Sequence, residues 1–124
     1  ALEELTKIAE EIAKAEKEQI QSGLTKEEFS YFWILKKYKI ENAKEISKNI
    51  SKVILERGHW IFNENIEREL RKELYKILLQ NFEKQDLQLF RAKENNSYYY
   101  KVDIVEIVNQ LLGIDKMIKI EAYE

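Results

Sequence analysis

The chain has no cysteine and no proline. Without cysteine there is no disulfide framework and no thiolate metal site; this fits a reducing compartment and sets the expectation of a cytoplasmic protein. Without proline the main interrupter of helices is gone. Glycine occurs only at 23, 58 and 113. A phosphate-cradling loop needs clustered glycines and a following Lys, so nucleotide hydrolysis by that route is excluded. The single histidine, His59, cannot build a common zinc site unless carboxylates dominate. It also has no thiol with which to form a catalytic pair. No Ser sits in a glycine-flanked tight turn, the setting of a hydrolase nucleophile. No Asp or Glu is followed two residues later by Lys, so the acid-x-Lys element of metal-dependent nucleases is missing. No uncharged apolar run approaches the roughly 18–20 residues of a membrane helix. The expectation is a chain with no catalytic residue, no cofactor, no metal and no membrane partner.

What is present is dense, balanced charge: 21 Lys and Arg against 23 Asp and Glu, a net of -2 over 124 residues. A dedicated nucleic-acid module is usually clearly basic, and this chain taken whole is not. The distribution is uneven. Residues 1–23 carry three Lys and six Glu (-3), whereas residues 24–60 carry eight Lys or Arg and five Glu (+3). An anionic partner would therefore meet the second segment. The start, Ala1-Leu2-Glu3-Glu4, has neither an initiator Met nor a basic signal-peptide head and reads as the beginning of a fragment or of a processed chain.

Apolar periodicity points to helices throughout. Leu2, Leu5, Ile8, Ala9, Ile12 and Ala13 predict one long amphipathic helix over roughly 2–21, ended by Ser22-Gly23 with Gly in the left-handed position. Thr25-Lys26-Glu27-Glu28 is a capping box, and Leu24 with Phe29 matches a hydrophobic staple. The helix it opens runs to about Tyr38 and carries Phe29, Phe32, Trp33 and Leu35. Asn42-Ala43-Lys44-Glu45 reads as an Asn-capped version of the same box, opening a helix with Ile46, Ile50, Val53 and Ile54 on one face. That helix ends at Arg57-Gly58. After the apolar connector His59–Phe62, Asn63 caps a helix bearing Ile66, Leu70, Leu74, Ile77 and Leu78 that ends near Phe82. Alternation at 87–91, a turn at Glu94–Ser97 and three tyrosines predict a small hairpin. Asp103–Glu106 forms a further capping box on a helix to Leu112, with Gly113 after it. The tail 114–124 reads either as a short helix or as a strand. The fold class is mainly α: one domain over 1–124, a compact bundle of five or six helices with a small β-hairpin near 87–102.

Three features qualify as candidate contact sites. Lys44, Lys48 and Lys52 lie four apart and form a stripe, preceded by Lys36, Lys37 and Lys39. Such a stripe either meets phosphates or is an ordinary solvated face. Trp60 is either an exposed anchor for a partner or a plug at the end of a helical core, the reading we favour; His59 beside it reads as a surface or capping residue. Tyr98, Tyr99 and Tyr100 either stack on bases or line an interface, or alternate between core and solvent.

The order of these motifs also matters. A charged amphipathic helix leads into Leu24-Thr25-Lys26-Glu27-Glu28-Phe29 and an aromatic helix ending in Leu35. An Ile-rich helix, Trp60, and Ile66-Glu67-Arg68-Glu69-Leu70-Arg71-Lys72-Glu73-Leu74-Tyr75-Lys76-Ile77-Leu78-Leu79 follow. Over about residues 2–80 this resembles the C-terminal helical region of the restriction (R) subunit of type I restriction–modification enzymes. The resemblance implies a non-catalytic domain whose parent subunit is an ATP-dependent translocase and endonuclease. It also implies docking onto the methyltransferase and specificity subunits. The expected partner surface is the outer face of the first helix plus the Tyr-rich segment. The alternative is a helical module contacting the DNA backbone through the Lys stripe.

Overall fold

A computed structural model describes residues 2–82, 89–91, 98–100 and 103–123. Among them are six α-helices: α1 (Leu2–Lys14), α2 (Glu16–Ser22), α3 (Lys26–Lys37), α4 (Ala43–Glu56), α5 (Glu64–Leu79) and α6 (Ile104–Tyr123). A 3₁₀ turn, Trp60–Phe62, joins α4 to α5, and two short strands, β1 (Leu89–Arg91) and β2 (Tyr98–Tyr100), pair antiparallel with Phe90 opposite Tyr99. The mainly α class is as expected, and the strands fall within the predicted hairpin. Its turn, Glu94–Ser97, lies outside the described residues. No helix among the described residues is long and apolar enough to cross a membrane.

The signals at helix ends explain much of the architecture. Thr25 Oγ1 accepts from the Glu28 amide at 3.1 Å, and Glu28 Oε1 accepts from the Thr25 amide at 2.9 Å, so the capping box is formed. Leu24 and Phe29 share a small core cluster with Ala15, which completes the staple. Gly23 is left-handed, φ 74°. Asn63 Oδ1 accepts from the amides of Asn65 and Ile66 and starts α5. The Asp103 carboxylate accepts from the Glu106 amide at 3.1 Å at the start of α6.

Three expectations need correction. The first helix is two, broken at Ala15, whose amide bonds to the Ile12 carbonyl in a tightened turn. Ala15 is buried against Leu24 and Phe29, so contacts with α3 override the local helical pattern. Asn42 does not cap α4: it is itself left-handed, φ 58°, and its side chain makes no capping bond. Lys39 has the same φ, and the two bends keep Ile40 between them in the core. Gly113 does not end a helix; α6 runs through it, and the tail to Tyr123 is helical.

α3 is central, packing on α1, α2, α4 and α6, while α5 packs on α4 and α6. One apolar core gathers Ile8 from α1, Ile34 and Leu35 from α3, Ile46, Ile50 and Ile54 from α4, Leu70, Leu74 and Leu78 from α5, and Ile107, Val108 and Leu111 from α6. Burial of this apolar surface is the main driving force of the fold.

Candidate functional site

The lysine stripe forms as the spacing requires. α4 buries Ala43, Ile46, Ser47, Ile50 and Ile54, which leaves Lys44, Lys48 and Lys52 on its exposed side, spaced about 6 Å apart along the axis at 1.5 Å rise per residue. None of the three has a carboxylate within ion-pair distance among the described residues. The preceding lysines are differently engaged. Lys37 pairs with Glu11 at 3.6 Å, and the Lys36 ammonium stands 5.7 Å over the Phe32 ring. Glu11 also accepts from the Trp33 indole at 3.2 Å; that bond, with the nearby Lys37, holds its carboxyl below the ordinary range.

Trp60 differs from the lysines of the stripe. It is 3% exposed, so it is no surface anchor, and the core-plug reading holds. Its indole N–H needs a buried partner and donates to Asp115 Oδ2 at 2.6 Å. The Tyr31 hydroxyl donates to Oδ1 of the same carboxylate at 2.9 Å. Burial first, and the Asp115 charge second, push the Tyr31 hydroxyl well above the usual tyrosine range. Lys119, one turn along α6, places its ammonium 2.9 Å from Oδ2 and 5.8 Å over the Trp60 ring. That contact is electrostatic, not a directed hydrogen bond, because the ammonium makes no well-aligned bond. Asp115, itself 2% exposed, thus takes hydrogen bonds from α3 and the 3₁₀ turn and is ion-paired within α6. A carboxylate engaged in this way acts as a structural tie between segments. His59, next to Trp60, is exposed and makes no capping bond.

Tyr98 and Tyr99 lie on β2, opposite Arg91 and Phe90. The stripe, Trp60 and the tyrosines therefore belong to three different elements: α4, the 3₁₀ turn and β2.

One concave surface among the described residues involves none of the candidate residues. A groove of about 380 Å³ opens between α1 and α6. Ala9, Ile12 and Ala13 form one wall and Ile114, Met117 and Ile118 the other, with Ser30 and Lys26 of α3 and Glu16 and Gln19 of α2 adding polar groups. The two helices meet closely at Gly113, where an added methyl group would lie 2.6 Å from Leu5 Cδ1. Beyond that point α1 lines the groove with the small side chains of Ala9 and Ala13 as well as Ile12, and after the break at Ala15 the chain packs on α3.

Sequence reasoning missed the Asp115 tie and the groove for one reason: both need α6 to continue past Gly113. The signal was present in Ile114, Met117 and Ile118 at helical spacing, with Asp115 and Lys119 four apart. The chain matches no family model, no curated protein and no solved structure.

Proposed function

We propose that this chain is a non-catalytic helical interaction domain. In the reading suggested by its motif order, it docks the R subunit of a type I restriction enzyme onto the methyltransferase–specificity core, in the cytoplasm. The observation that supports docking is the groove between α1 and α6, whose apolar walls and polar rim, Glu16, Gln19 and Lys26, have the composition of a protein-binding surface. Part of it belongs to the first helix, although the expected partner surface is that helix's outer face with the Tyr-rich segment, and the groove lies on the side turned toward α6. The test is size-exclusion co-elution with a type I methyltransferase–specificity complex from the same source. Ala13 is exposed, so Ala13→Arg leaves the fold intact and blocks the groove. Co-elution of the native chain and its loss in Ala13→Arg support the reading. Separate elution of a folded native chain rejects docking by this domain alone.

A second reading is favoured by the exposure of Lys44, Lys48 and Lys52 without carboxylate partners among the described residues: contact with the DNA backbone. Binding of that kind weakens steeply with salt. Fluorescence anisotropy with duplex DNA at about 50 mM salt tests it. Binding that Lys44→Gln/Lys48→Gln/Lys52→Gln abolishes supports it, and no binding by the native chain removes it.

A further inference from the structure

We draw no further inference here: the strongest candidate, the apolar groove between α1 and α6 with Met117 on its wall, belongs to the surface already proposed for docking, and nothing in the structure shows what covers it.

Discussion

Trp60 and Asp115, 55 positions apart in the chain, meet through an indole N–H that donates to a carboxylate oxygen at 2.6 Å. The same carboxylate takes the Tyr31 hydroxyl, 84 positions away. Removing the acceptor strands two buried donors and the Lys119 ammonium. Asp115→Ala should therefore destabilise the fold by about 3–5 kcal/mol, the range for breaking a buried charged network. Asp115→Asn keeps an acceptor oxygen and should cost less. Urea unfolding of the three proteins measures this, and equal midpoints for Asp115→Ala and the native chain would refute the role of the network.

The Tyr31 hydroxyl predicts the alkaline behaviour. Its pKa in the folded state is raised above the ordinary 10.0, so the folded form holds a proton that the unfolded form releases. The stabilisation is fully present below about pH 10 and is lost as pH rises beyond it. Tyr31→Phe should flatten the decline in stability between neutral pH and the alkaline limit. Denaturant midpoints of both proteins across that range show the effect as a difference in slope; parallel curves would contradict it.

Leu5 and Gly113 set a packing test. In an open helix Gly→Ala is worth about 1 kcal/mol, but here the added methyl would fall 2.6 Å from Leu5 Cδ1. Gly113→Ala in the native background should gain less than this, because Leu5 must shift. In a Leu5→Ala background the gain of about 1 kcal/mol should return. A double-mutant cycle reads the coupling directly, and strict additivity would count against close contact of α1 and α6.

Asn42 and Asn63 precede helices, yet they should respond oppositely to substitution. Asn63 supplies two side-chain bonds to backbone amides, so Asn63→Ala should cost about 1 kcal/mol. Asn42 supplies no such bond and sits at φ 58°, a conformation that glycine adopts without steric cost. Asn42→Gly should be neutral or stabilising, and Asn42→Val destabilising by about 1–2 kcal/mol. Thermal unfolding of the four proteins compares them; similar losses for Asn42→Gly and Asn63→Ala would show that Asn42 caps after all.

The part of the fold legible in the sequence is the part that local chemistry decides. Thr25 and Glu28 are three residues apart and satisfy each other's backbone groups, and Leu70, Leu74 and Leu78 share one helical face. Neither needs knowledge of the rest of the chain. Ala15, Asn42 and Gly113 depart from the local pattern because distant contacts decide them: Ala15 by Leu24 and Phe29, Asn42 by the burial of Ile40, Gly113 by Leu5. The exposure of Lys44, Lys48 and Lys52 follows from the apolar positions of α4 and was readable. The groove was not, since its two walls come from opposite ends of the chain.

The tie at Asp115 has a kinetic consequence. Its donors reach it across 55 and 84 residues, so it closes only after the chain has paid the entropy of two large loops. Helices α3 to α5, joined by short turns, can assemble first. Asp115 should then be absent from the folding nucleus: Asp115→Ala would speed unfolding and leave refolding almost unchanged. A carboxylate in that position works as a latch that sets how long the native state lasts once it has formed.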